Sequence, residues 1–333
     1  MMPRLFLFLL FIAFTANAFS QDITQPTQPL AGPGGANYKH QEVRFLDYAQ
    51  DMEGYWLFEP EAPRPKQAHV IVFLHGYGAY NPMVYGEWIR HLVRKGNTVI
   101  FPRYQENMLL PLPTQFADNS AKAIKEALNV LTSENHVDPL TTHLTYVGHS
   151  FGGAIAANLA TNYESFGLPK PAVAMLCSPG TGWVAMGQLE SYENMPEDIK
   201  LLITVSEHDN VVGDEFGQRI FDEAIHTKDR NLIRQFADRK GAPRLSAYHN
   251  ETYSLRTEYD SGHRSTSSIR ALRISKLDAM DFYGYWKWLD ALMDCSRNNN
   301  NCEYALGNTP EQRQLGQWSD KTPIKEVKVY LPN

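Results

Sequence analysis

Short apolar runs alternate along this chain with longer stretches of helical period, and the alternation sets the expected architecture. Residues 69–74 (His-Val-Ile-Val-Phe-Leu) are continuously β-branched and aromatic after the histidine, as a strand buried on both faces requires. Residues 98–101, 143–147, 172–176 and 201–205 are similar short runs, and residues 82–95, 114–134, 152–163 and 213–226 carry helical patterns between them. Strands alternating with helices at this spacing predict right-handed crossovers and an α/β fold, a mainly parallel central sheet flanked by helices. Residues 43–48 and 54–59 read as an antiparallel pair turning at Asp51, Met52 and Glu53. Further strand-like runs occur at 232–236 and 255–259. In a sheet of this kind, functional side chains gather at the carboxyl ends of the strands.

Composition narrows the class. With 333 residues, 43% hydrophobic and 20% charged, the chain can build one large core. Its net charge of −6 and the absence of a basic run leave no expectation of a nucleic-acid partner. At the N-terminus, Arg4 precedes an apolar run over 5–14, and Ala16, Asn17 and Ala18 follow with the small residues a signal peptidase reads. The expectation is a signal peptide over 1–18 cleaved near Ala18, and export to the periplasm or medium. The apolar run is too short to span a bilayer, so no stable membrane insertion is expected. Residues 19–40 then read as an extended leader, and 41–333 as a single α/β domain with a C-terminal extension from about 305. In an oxidising compartment Cys295 and Cys302, flanking the asparagine run 298–301, are the natural disulfide pair. Cys177, inside an apolar run, reads as a buried core thiol. The spacing of cysteines and histidines carries no zinc signature.

The chemistry centres on Gly148-His149-Ser150-Phe151-Gly152, between the strand 143–147 and the small-residue helix 153–160. A chain that turns from strand to helix within so few residues holds its serine in a strained conformation with the hydroxyl exposed, a nucleophile elbow. Gly148 and Gly152 leave room for that turn. His75-Gly76-Tyr77-Gly78 follows the buried strand 69–74, where the backbone N–H of Tyr77 would form one oxyanion donor and that of Phe151 the second. His75 itself reads as a packed residue orienting the loop, and the Tyr77 ring as a possible wall of an acyl pocket. Asp209, just past the strand 201–205, is the expected orienting acid. Glu207 and Asp214 are rivals, Asp214 fitting better as a helix cap. For the general base His249 ranks ahead of His263, because 232–236 directly follows the helix expected to precede the last strand. His208 comes too early, and His226 falls within a helical pattern. Residues 178–196, with Trp183, Met186, Leu189, Tyr192 and Met195, are either a small lid over the serine or a packed excursion.

On these motifs the segment from about 67 to 292 resembles an α/β-hydrolase of the secreted bacterial serine esterase and lipase type. The order Ser150, Asp209, His is that family's order, and the His-Gly-Tyr-Gly loop and the elbow stand where the family has them. Residues 278–287 and 304–310 also look like a recurrent ending among bacterial hydrolases of this kind. The resemblance implies a serine hydrolase with no cofactor, acting as a monomer on a small-molecule or lipid-like carboxylic ester through an acyl-enzyme intermediate. Its relatives include polyester- and cutin-degrading and chlorophyllase-like enzymes, among which the motifs do not choose. Two other readings stay open: a serine peptidase or amidase using the same three residues, and a non-catalytic binding protein on the same fold.

Overall fold

The computed structural model describes residues 22–109, 111–182 and 186–332. The expected signal peptide and Trp183 therefore lie outside the described residues. Nine strands form one sheet in the order β1-β2-β4-β3-β5-β6-β7-β8-β9. They are β1 (Glu42–Asp47), β2 (Tyr55–Glu61), β3 (Gln67–Leu74), β4 (Asn97–Pro102), β5 (Asp138–His149), β6 (Pro171–Cys177), β7 (Lys200–Ser206), β8 (Arg230–Gln235) and β9 (Lys328–Tyr330). The six strands from β4 to β8 are parallel, and β1, β2 and β9 close the two edges in antiparallel pairing.

Both faces of the sheet are covered, which is why its strands lack a polar alternation. Along β3, Val70, Val72 and Leu74 enter the core shared with α2 (Phe116–Val130), α3 (Phe151–Thr161) and α4 (Glu215–Glu223), while Ile71 and Phe73 enter the opposite core. That second core is built on α1 (Gly86–Arg94) and α6 (Trp286–Asn298), with Trp88, Leu92, Trp288 and Leu289 inside it. Two further helices are α5 (Thr266–Ile274) and α7 (Pro310–Arg313). No helix among the described residues is long and apolar enough to cross a membrane.

Several elements differ from the sequence reading. Residues 255–259 form no strand: the backbone N–H groups of Ser254 and Arg256 bond the Val84 and Met83 carbonyls, and a single 3₁₀ turn (Thr257–Tyr259) lets Tyr259 pack edge-on against Phe58 and tilted against Phe45. The apolar positions there satisfy packing of Tyr259 on the face of the sheet. The pattern 82–95 begins with a 3₁₀ turn, Pro82–Tyr85, capped by Asn81. His226 is exposed beyond α4, its Nε2 3.6 Å from Glu193. The stretch after 305 is part of the cores, burying Leu315, Trp318, Ile324 and Val327 before β9 joins the sheet.

Cys295 and Cys302 are joined as a disulfide at the end of α6, and Cys177 is free and buried. The intervening loop turns through Asn299 and Asn301 with φ of 55° and 59°, left-handed positions that asparagine tolerates better than most residues.

Candidate active site

Strand β5 ends at His149, α3 begins at Phe151, and Ser150 bridges them at φ 56° and ψ −122°. A non-glycine residue holds such angles only where its surroundings over-determine them. Here the Ser150 N–H donates to Cys177 O at 2.9 Å, and the Ser150 carbonyl accepts the N–H groups of Gly153 at 2.9 Å and Gly180 at 3.1 Å. The flanking glycines are required by space. A Cβ on Gly152 would collide with the Leu74 carbonyl of β3, and one on Gly148 with the Gly152 carbonyl.

The loops after β7 and β8 converge on this serine. The His208 N–H donates to Ala247 O at 2.9 Å, tying the two loops together. Asp209 and His249, both buried, then line up behind Ser150. His249 Nδ1–H donates to Asp209 Oδ2 at 2.7 Å, and the Ser150 hydroxyl donates to His249 Nε2 at 2.9 Å. Asp209 Oδ1 accepts the N–H groups of Val211 at 2.9 Å and Val212 at 3.0 Å. Burial pushes the Asp209 carboxyl up, but the hydrogen bond and charge of His249 and these two N–H groups outweigh it and hold the carboxyl below its ordinary range. The acid is therefore an anion with every tendency to fix the imidazole with Nδ1 protonated and Nε2 free to accept.

A second chain of hydrogen bonds, absent from the sequence reading, runs behind the first. His149 Nε2–H donates to His249 O at 2.8 Å, so its Nδ1 is the acceptor for the Tyr85 hydroxyl at 2.9 Å. The Tyr85 oxygen in turn accepts the Gly76 N–H at 2.9 Å. Burial, and then the charge of His249, lowers the His149 pKa to about 3, so the ring is neutral. The elbow, the His249 loop and the loop after β3 are thus joined through two buried rings.

The loop after β3 is rigid for further reasons. His75 stacks on Tyr104 with ring centroids 3.9 Å apart and places Nε2 2.8 Å from Arg103 O. Gly78, at φ 73°, donates its N–H to Gln105 Oε1 at 2.8 Å, and Ser267 of α5 donates to Tyr77 O at 3.0 Å. Among the described residues, no carbonyl or side chain accepts the Tyr77 N–H. The Phe151 N–H, in the first turn of α3, has no partner within its helix. Tyr77 and Phe151 border the same pocket as Ser150, of about 210 Å³, with Gly180, Thr181 and Gly182 across from them.

The other candidates lie elsewhere. The His263 ring packs edge-on against Trp56 and Tyr80, with centroids 5.7 and 6.4 Å away, and is not brought to Ser150. Glu207 Oε2 accepts the Ala237 N–H at 3.1 Å. Asp214 stands at the N-cap of α4, but its side chain makes no cap bond, because it pairs with Arg234 of β8. Within 178–196, Tyr192 and Met195 are fully buried, the Tyr192 hydroxyl donating to Asn158 Oδ1 at 3.0 Å, so these two belong to the core. The absence of a basic run in the sequence conceals one grouping: Arg270, Arg273 and Lys276 all line a larger cavity of about 550 Å³ beside the Ser150 pocket.

Residues 71–213 match the sequence profile of a protein family described as alpha/beta hydrolase fold. No curated protein matches the chain.

Proposed function

We propose that this chain, an α/β-hydrolase by fold and by the family profile it matches, is a serine hydrolase that cleaves carboxylic esters through an acyl-enzyme intermediate. The observation that carries the reading is the unbroken line from Asp209 through His249 to Ser150, with contacts of 2.7 and 2.9 Å. Ser150 Oγ attacks the ester carbonyl carbon as its proton passes to His249 Nε2. The imidazolium that forms is stabilised by the Asp209 carboxylate. The Tyr77 and Phe151 N–H groups supply the two donors for the oxyanion, each worth about 10²–10³ in kcat. His249 then returns the proton to the departing alkoxide. Water, deprotonated by the same imidazole, attacks the acyl carbon and releases the acid, leaving Ser150 protonated again. The Cys295–Cys302 disulfide supports an exported enzyme, since such bonds persist in oxidising compartments.

The test is covalent labelling by a fluorophosphonate together with hydrolysis of p-nitrophenyl esters. Labelling and turnover should both vanish in Ser150→Ala, and Asp209→Asn should retain labelling at a lower rate with kcat reduced about 10⁴-fold. A wild-type chain that neither labels nor cleaves any ester would sink the reading in favour of a binding protein, whereas labelling with amide but no ester turnover would favour the amidase.

A further inference from the structure

The cavity of about 550 Å³ shares Val211, His249, Asn250, Tyr253 and Arg270 with the pocket at Ser150, so whatever occupies one can extend into the other. Its far wall is α5 and the two residues after it. There Arg270 and Arg273 stand one turn apart on α5, and Lys276 lies just past the helix end at Ser275. Among the described residues none of the three has a carboxylate within ion-pair distance, whereas Arg219, Arg256, Arg264 and Arg313 each have one. Lys276 is near enough to Glu251 and Asp278 for its charge to act on both, whereas Arg270 and Arg273 add two cations with no such partner, so on a chain of net charge −6 the cavity wall is locally positive.

Two carboxyl groups also border the cavity, and both are turned to their own backbone. Glu251 accepts the Tyr248 N–H at 2.9 Å and the Ser246 hydroxyl at 3.2 Å, and Asp278 accepts the Met280 N–H at 2.9 Å. Burial raises both, Glu251 to about 7, and the charge of Lys276 opposes the rise in each. His208, which lines the cavity with His249, Tyr248 and Tyr253, has its Nδ1 4.0 Å from Glu207.

We propose that this cavity is the subsite for an anionic part of the substrate: an ester whose acyl or alcohol portion ends in a carboxylate, held by Arg270, Arg273 and Lys276 while its carbonyl lies at Ser150. The proposal rests on the ester-hydrolase reading for the bond that is cleaved, but the anion subsite can be measured without turnover. A guanidinium presents paired N–H donors that match a carboxylate, and Lys276 adds a point charge. The free volume accommodates a spacer of several carbons between the two groups.

Two matched ester pairs test it on the full chain: mono-p-nitrophenyl adipate against p-nitrophenyl hexanoate for an acyl-side charge, and 4-butyryloxybenzoate against its methyl ester for an alcohol-side charge. In at least one pair kcat/KM should favour the anion by about tenfold, mainly through KM, and the preference should shrink with added salt. In the triple variant Arg270→Gln, Arg273→Gln, Lys276→Gln the ratio should fall to near one. Equal rates within both pairs, or a variant that lowers both members of each pair alike, overturns the proposal. Calorimetry with adipate on wild type and the same variant reads the subsite alone. Adipate binding that the variant loses, in a protein inert to every ester, would keep the anion subsite and discard the hydrolase reading. No adipate binding to the wild type would discard the subsite even if neutral esters are cleaved.

Discussion

Tyr85 and His149 show how far the machinery around Ser150 extends beyond the residues that would touch a substrate. Neither ring is hydrogen-bonded to Ser150, yet between them they connect the Gly76 N–H to the His249 carbonyl. Tyr85→Phe removes one oxygen and leaves two buried partners unsatisfied, the Gly76 N–H and His149 Nδ1. The expected cost is about 1–3 kcal/mol of unfolding free energy, read from denaturant melts. If the chain of bonds also positions the Tyr77 N–H and His249, kcat for a p-nitrophenyl ester should fall about tenfold with KM little changed, following the cost of small displacements in a catalytic constellation. A stability loss with unaltered kcat would confine Tyr85 to packing.

At the level of elements, the Cys295–Cys302 bond closes a short loop on the end of α6, the helix that supplies Trp288 and Leu289 to one core. Replacing both cysteines by serine should lower stability by about 2 kcal/mol through the freed entropy of the unfolded loop, and reduction of the wild type should reproduce the shift. The elements most legible in the sequence are those whose environment is repeated on both sides. The runs 69–74 and 172–176 read as strands because two cores cover them, and the strand and helix on either side of Ser150 are legible because they are contiguous. What local pattern could not convey is where the long loops travel. His249 and His263 each follow a strand-like run, and only the path of the chain from β8 brings His249 to Ser150 and sends His263 to Trp56. Strand β9, with three residues, is too short for periodicity to reveal, and Arg270, Arg273 and Lys276 are too widely spaced to read as a basic run. The interval of three between Arg270 and Arg273 is nonetheless a signal that a helical reading of 266–274 would have exposed. The tie between Tyr85 and His149 spans 64 positions and leaves no trace in either segment.

Over the whole molecule, the pH dependence of stability follows from carboxyls gathered ahead of α6. Glu251 is raised from 4.5 to about 7 by burial, and Asp278 and Asp281 are raised by burial as well. For a raised acid the folded state binds the extra proton. The contribution is complete below the unfolded value of 4.5 and lost as pH rises through about 7. Asp209 works in the opposite sense and in a lower window, since its depressed pKa gives stability that is lost only as pH falls below the ordinary carboxylate range. Denaturant midpoints measured from pH 5 to 8 should therefore decline, and Glu251→Gln should flatten the decline without abolishing it, because Asp278 and Asp281 remain.

The segment between β8 and His249 is held from both ends of the described chain. The Ala242 N–H donates to Ile23 O at 2.8 Å, while Asp238 Oδ2 accepts the Trp318 indole N–H at 3.2 Å and the Lys325 N–H at 2.9 Å. The two ends also meet each other, the Ser319 N–H donating to Thr24 O at 2.9 Å. As the chain grows from its N-terminus, the Ile23 and His208 bonds to this stretch can form before residue 318 exists, and the Trp318 and Lys325 bonds to Asp238 are added last. The stretch that carries His249 is thus fastened in two stages. An Asp238→Ala chain, which unfastens that clamp in the finished protein, should be nicked faster by thermolysin within residues 236–248 and should cleave esters with a lower kcat, as a partly emerged chain would.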